Sequence, residues 1–143
     1  MSKLSIEVIF AAIGAAITSC FGGWSTGLTT LIIFMAADYI SGVVVAAVFK
    51  NSKKSKSGAL DSKAGWKGLS RKGMTLLFVL IAHRLDLMIG TNYIRDAVII
   101  GNCINELLSI IENAGLMGVP LPGAIKKAVD ILIEKEDKNG NNK

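Results

Sequence analysis

Little in this sequence could carry a reaction. It holds one histidine, His83, and two cysteines, Cys20 and Cys103, both within apolar stretches. No CxxC pair and no Cys/His ligand spacing exists, so no metal centre is expected. Cysteines in such settings serve as small buried apolar residues. There is no Ser/His/Asp set on an accessible loop, no phosphate-binding glycine loop, no paired carboxylates at catalytic spacing and no dinucleotide fingerprint. The expectation is a chain that is no enzyme and holds no cofactor. Aromatic residues make up 6% and charged residues 19%, the latter below the roughly 25% of an average soluble chain.

What the sequence does contain is apolar length. Half of its 143 residues are hydrophobic, and the mean hydropathy is +0.50. Residues 26–49 carry one formal charge, Asp38. As a helix this stretch would reach about 36 Å, more than the roughly 30 Å hydrocarbon core of a bilayer. It reads as a membrane span, and the other segments are interpreted around it. Asp38, Ser41 and Gly42 fall on one side of that helix. A carboxylate at mid-span should face protein or water, not lipid.

Residues 4–22 form a first apolar segment, joined to the second by the turn Gly22-Gly23-Trp24-Ser25-Thr26-Gly27. Ala11, Ala15 and Ser19, like Ala12 and Ala16, recur at four-residue spacing. That spacing suits close helix packing in lipid or an ordinary alanine-rich helix. Lys3 and the box Ile17–Cys20 also resemble a signal peptide, but Glu7 interrupts the apolar run and a second span follows at once. Residues 73–90 form a third segment, late in which come His83, Arg84 and Asp86. His83 and Asp86 could pair on one face, and Arg84 needs a partner such as Asp38 or Glu106. Residues 93–113 form a fourth, amphipathic helix, with Arg95, Asn102, Asn105, Glu106, Ser109 and Asn113 in one polar stripe. That stripe, with Asp38, Ser41, Gly42, His83, Arg84 and Asp86, is expected to line a lumen or an interface between copies.

Eight of the sixteen lysines and arginines lie within residues 50–72, opposed there only by Asp61. Such a cluster marks a cytoplasmic loop. Its residues Lys53, Lys54, Lys56, Lys63, Lys67, Arg71 and Lys72 are expected to touch anionic lipid headgroups, at about 1 kcal/mol per nearby cation. The loop is read as a flexible start followed by an interfacial piece from Lys63 to Lys72, anchored by Trp66. No aromatic-interleaved stripe accompanies it, so no nucleic-acid partner is expected. After Gly115, Gly118, Pro120 and Pro122 comes an amphipathic helix, lying on the membrane or on the basic loop, with a disordered tail from Lys138.

The reading is an all-α membrane protein with four transmembrane helices, or three if the first segment leaves the membrane. Residues 1–122 make the membrane domain and 123–143 a cytoplasmic helix and tail. With both termini inside, every lysine and arginine except Arg84 and Arg95 is cytoplasmic. Polar faces on such helices require self-association.

Several stretches resemble the toxin-secretion and phage-lysis holin family: FGGW at 21–24, DYISG at 38–42, GWKGLSRK at 65–72, AHRLD at 82–86 and NELLSIIENAGLMGVPLP at 105–122. The resemblance implies a homo-oligomer in the bacterial cytoplasmic membrane. Its lesion would release an endolysin for host lysis or export a toxin. A non-perforating scaffold that docks a soluble partner through the basic loop, and a small ion or proton transporter using His83, Asp38 and Glu106, are alternatives of other classes.

Overall fold

A computed structural model describes residues 2–140. Five helices follow one another: α1 (Lys3–Cys20), α2 (Thr26–Ala47), α3 (Ser62–Ile89), α4 (Ile94–Leu116) and α5 (Gly123–Gly140). There is no strand among the described residues. Of these helices, α1 and α2 are long and apolar enough to cross a membrane.

Side-chain caps set three of the helix starts. Ser2 accepts from the Ser5 amide, Ser25 from the Leu28 amide and Asp61 from the Lys63 amide, each satisfying a donor that a helix N-terminus leaves orphaned. The Asp61 cap changes the reading of the basic segment. The helix expected to begin at residue 73 begins at Ser62 and runs 28 residues without interruption. Glycines stand at 65, 68 and 73, but a glycine costs a helix only about 1 kcal/mol relative to alanine. The loop between α2 and α3 is correspondingly short. It is tied down by Ser52 N–H to the Gly58 carbonyl at 2.9 Å and by Asn51 Nδ2 to the Leu116 carbonyl at 3.3 Å.

Helix α4 is the hub. It packs most extensively on α2, then on α3 and α5, whereas α2 and α3 touch each other little. Leu28, Leu31 and Met35 of α2 meet Val79 of α3 and Ile99 and Cys103 of α4 to form the core. No residue of α1 is buried, and α1 packs on no other helix to any extent. Its small-residue spacing is unused within the chain.

Helix α5 lies on α4, not on the basic loop. Val129 is its buried residue, and the Glu136 carboxylate sits over Gly101, where a Cβ would come within 2.8 Å of it. The helix continues through Gly140, past the point where a disordered tail was expected. Residues 141–143 lie outside the described residues.

At one end of the bundle Asp86 joins three elements. Its carboxylate accepts from the Thr91 hydroxyl at 2.7 Å and from the amides of Ile94 at 3.0 Å and Arg95 at 2.8 Å. Tyr93, the residue preceding α4, provides no side-chain cap. Asp86 therefore caps α4 from the end of α3, across a turn that Gly90 makes with φ 78°. Arg95 Nη2 then donates to the Gly23 carbonyl at 2.8 Å, holding the α1–α2 turn against α4. The His83 ring fills the space beside Gly22, whose missing Cβ leaves room for it. Asp86→Ala removes acceptors from several donors at once. It is expected to lower unfolding stability in detergent by about 2–3 kcal/mol, since each hydrogen bond to a charged group is worth about 1.5–3 kcal/mol. Loss of helix signal on heating or on dodecyl sulfate titration measures the change.

Candidate functional site

A cluster of polar side chains lies where α2, α3 and α4 meet. Lys72 of α3 donates to Asp38 Oδ2 of α2 at 2.7 Å and to Glu106 Oε2 of α4. The three side chains are 12%, 7% and 13% exposed. Asp38 Oδ1 accepts from the Ser109 hydroxyl and, at 3.2 Å, from Asn113 Nδ2. The Asn113 amide also reaches Ser41 Oγ at 2.8 Å and the Asp38 carbonyl at 3.2 Å. Each helix thus contributes charge or hydrogen-bonding capacity that the other two complete.

The helical repeat explains the meeting. On α3, Lys72, Leu76, Val79, His83 and Asp86 follow the i, i+4, i+7 pattern and share the face turned to α4. On α4, Glu106, Ser109 and Asn113 stand three and four apart on the face turned to Asp38. Gly42, one turn beyond Asp38, leaves Asn113 Nδ2 within 3.7 Å of where a Cβ would be.

The expected site residues divide between this cluster and other places. Asp38, Ser41, Glu106 and Ser109 are brought together. Asn102 Nδ2 instead donates to the Val98 carbonyl of its own helix at 2.8 Å, and Asn105 is exposed. Asp86 does not pair with His83 but caps α4. Arg84 is exposed and makes no hydrogen bond or ion pair among the described residues; Lys72 occupies both carboxylates proposed for it. The polar stripe of α4, expected to face a lumen or a second copy, is spent largely inside a single chain. Lys72 itself was grouped with the lipid-contacting loop. Its position two heptads before Asp86 was the available signal that it faces inward.

Above the ion cluster opens a cavity of about 560 Å³ between the end of α2, the 52–61 loop and the first turns of α3. Lys53, Lys54, Lys67, Arg71 and Lys72 line it, with Asp61, Asn105, Glu106 and Asp38. Lys56 and Lys63 are exposed and lie outside it. Lys53 pairs with Glu112 at 3.1 Å at the surface, where such a bond is worth little.

A buried ion with its partner removed costs about 3–5 kcal/mol. Lys72→Met leaves two carboxylates facing each other and is expected to destabilise the bundle by about that amount. Adding Asp38→Asn and Glu106→Gln should recover most of the loss, because neutral amides need no counter-charge. Dodecyl sulfate unfolding of the single and triple variants checks this.

Comparison with known proteins agrees with the architecture. The bacteriophage holin family matches residues 15–134. An uncharacterised protein of Listeria monocytogenes is 38% identical over 133 residues, covering 91% of this chain and 89% of its own. An uncharacterised Listeria innocua protein is 36% identical, covering 93% and 90%. A probable holin of Bacillus phage phi105 is 29% identical, covering 77% of this chain and 76% of its own. No solved structure matches. An all-helical chain with membrane-length apolar helices, matched over most of its length, belongs to the bacteriophage holin family.

Proposed function

We propose that this protein is a holin that accumulates in the bacterial cytoplasmic membrane, self-associates and opens a lesion. Through that lesion an endolysin reaches the cell wall or a toxin leaves the cell. The observation that carries the reading is the inverted surface of the bundle. Leu77, Phe78, Ile81, Leu85 and Met88 of α3, Ile33 and Ile40 of α2, and the whole apolar length of α1 are exposed, while Asp38, Lys72, Asp86 and Glu106 are gathered inside. In water an apolar surface this extensive is an interaction site or an aggregation liability. In lipid it is the ordinary exterior, and intramembrane charges turn inward to one another.

In this reading residues 73–89 of α3 and most of α4 cross the bilayer beside α1 and α2, with both termini inside. Helix α5 must then leave α4. Its Lys126, Lys127, Asp130 and Glu134 cannot remain beside a membrane-crossing helix without partners. The turn at Gly118–Pro122 is the hinge about which α5 moves to the cytoplasmic surface. The face of α4 that it vacates, together with the unattached α1, becomes available to a second copy.

Induced expression in a bacterium is expected to stop growth abruptly, collapse the membrane potential and release a co-expressed cytoplasmic reporter enzyme. Continued growth with an intact potential, at protein levels confirmed by immunoblot of the membrane fraction, would refute the holin reading. Pairing Gly101→Cys with Glu136→Cys, in a chain whose Cys20 and Cys103 are alanine, tests the hinge. Bridging the pair with a short bis-methanethiosulfonate reagent is expected to hold α5 on α4 and block reporter release from vesicles, and reduction to restore it.

A further inference from the structure

The ion cluster leaves one side of the bundle unfilled. Because α2 and α3 each pack on α4 but little on each other, a gap runs between them. Its outer part is an apolar groove of about 450 Å³, lined by Ile32, Met35, Ala36, Ile40, Leu69 and Leu76. Its inner part is the basic cavity above Lys72. Tyr39 and Lys72 border both, so the two adjoin, one cationic and the other greasy.

The cationic end has positive charge to spare. Lys72 is occupied by Asp38 and Glu106, while Lys54, Lys67 and Arg71 line the cavity with no ion pair among the described residues. Glycine on α3 lets Tyr39 cross close to it: a Cβ at Gly65 would stand 3.3 Å from the Tyr39 hydroxyl. That hydroxyl makes no hydrogen bond among the described residues and can donate to an anion. The cavity volume falls within the about 300–1,000 Å³ of small-molecule sites.

We propose that this cleft is a binding site for one anionic glycerophospholipid. Its phosphodiester lies among Lys54, Lys67, Arg71 and the Tyr39 hydroxyl, and one acyl chain runs down the groove between α2 and α3. A free phosphate would use only the cationic end, and a neutral lipid only the groove. The adjacency of the two selects a molecule with both parts. The inference rests on the chain residing in a bilayer, which the holin reading supplies, and not on lesion formation.

Native mass spectrometry of the full-length protein in mild detergent tests it, with equal amounts of phosphatidylglycerol and phosphatidylcholine. The wild type is expected to retain phosphatidylglycerol about tenfold more, the effect of one to two cations acting on a headgroup with net negative charge. Lys67→Gln with Arg71→Gln should erase the preference, whereas Lys56→Gln with Lys63→Gln, the same charge change outside the cavity, should keep it. Ala36→Trp, which fills the groove, should reduce retention of phosphatidylglycerol as well. Equal loss from both charge pairs would overturn the site in favour of diffuse attraction to the basic segment, and equal retention of the two lipids by the wild type would overturn the anionic preference itself. Displacement of phosphatidylglycerol by an equal concentration of glycerol phosphate would overturn the lipid in favour of a free phosphate. A chain that binds the lipid but never permeabilises vesicles would refute the holin reading alone, and a lytic chain without lipid preference would refute this inference alone.

Discussion

One ammonium between two carboxylates holds this bundle together. Lys72 of α3 satisfies Asp38 of α2 and Glu106 of α4 at once, and hydroxyl and amide donors from Ser109 and Asn113 complete Asp38. Burying three charges is expensive, and their mutual attraction offsets the cost only with good geometry and full hydrogen bonding. Here that condition couples three helices. None of them can move away without stranding a charge on the others. In a bilayer the penalty for stranding is greater still, because no water is at hand to take the place of the lost partner. The ion cluster therefore does in lipid what apolar burial does in water: it decides which helix faces point inward.

Apolar contacts then fill in around it. The core of Leu28, Leu31, Met35, Val79, Ile99 and Cys103 lies along the same three helices, between the ion cluster and the Asp86 cap at the other end. Both polar anchors on α3 are on the face that carries Val79. One rigid helix therefore fixes the register of α4 at two points, through Lys72 to Glu106 and through Asp86 to the first turn. The elements outside this framework are α1, which has no buried residue, and α5, which lies over Gly101 by a carboxylate and a single buried valine. Rearrangement is cheapest in these two.

Much of the helix layout was legible in the sequence, since apolar length and the Gly/Pro turns at 22–25 and 115–122 carry strong signals. The start of α3 was not. Three glycines and a run of cations between 62 and 73 look like a loop when read by composition, whereas the Asp61 cap and an unbroken helical face continue through them. The charged partners were legible only as a set. Asp38 and Glu106 were marked as groups needing company, but Arg84 was as plausible a companion as Lys72. Which cation arrives depends on how far α3 extends toward residue 62, so the boundary error and the pairing error have one cause. The α4 stripe was recognised as a stripe, yet periodicity cannot say whether it meets another copy or its own chain.

The central claim is that Asp38, Lys72, Asp86 and Glu106 face inward and the greasy side chains of α3 face lipid. Spin labels placed one at a time at residues 74–88, in protein reconstituted into vesicles, test it most directly. Positions 77, 78, 81, 85 and 88 are predicted to collide readily with dissolved oxygen and poorly with a water-soluble nickel chelate, while 79, 82 and 86 are shielded from both. High nickel accessibility at 77, 81 and 88 would contradict it.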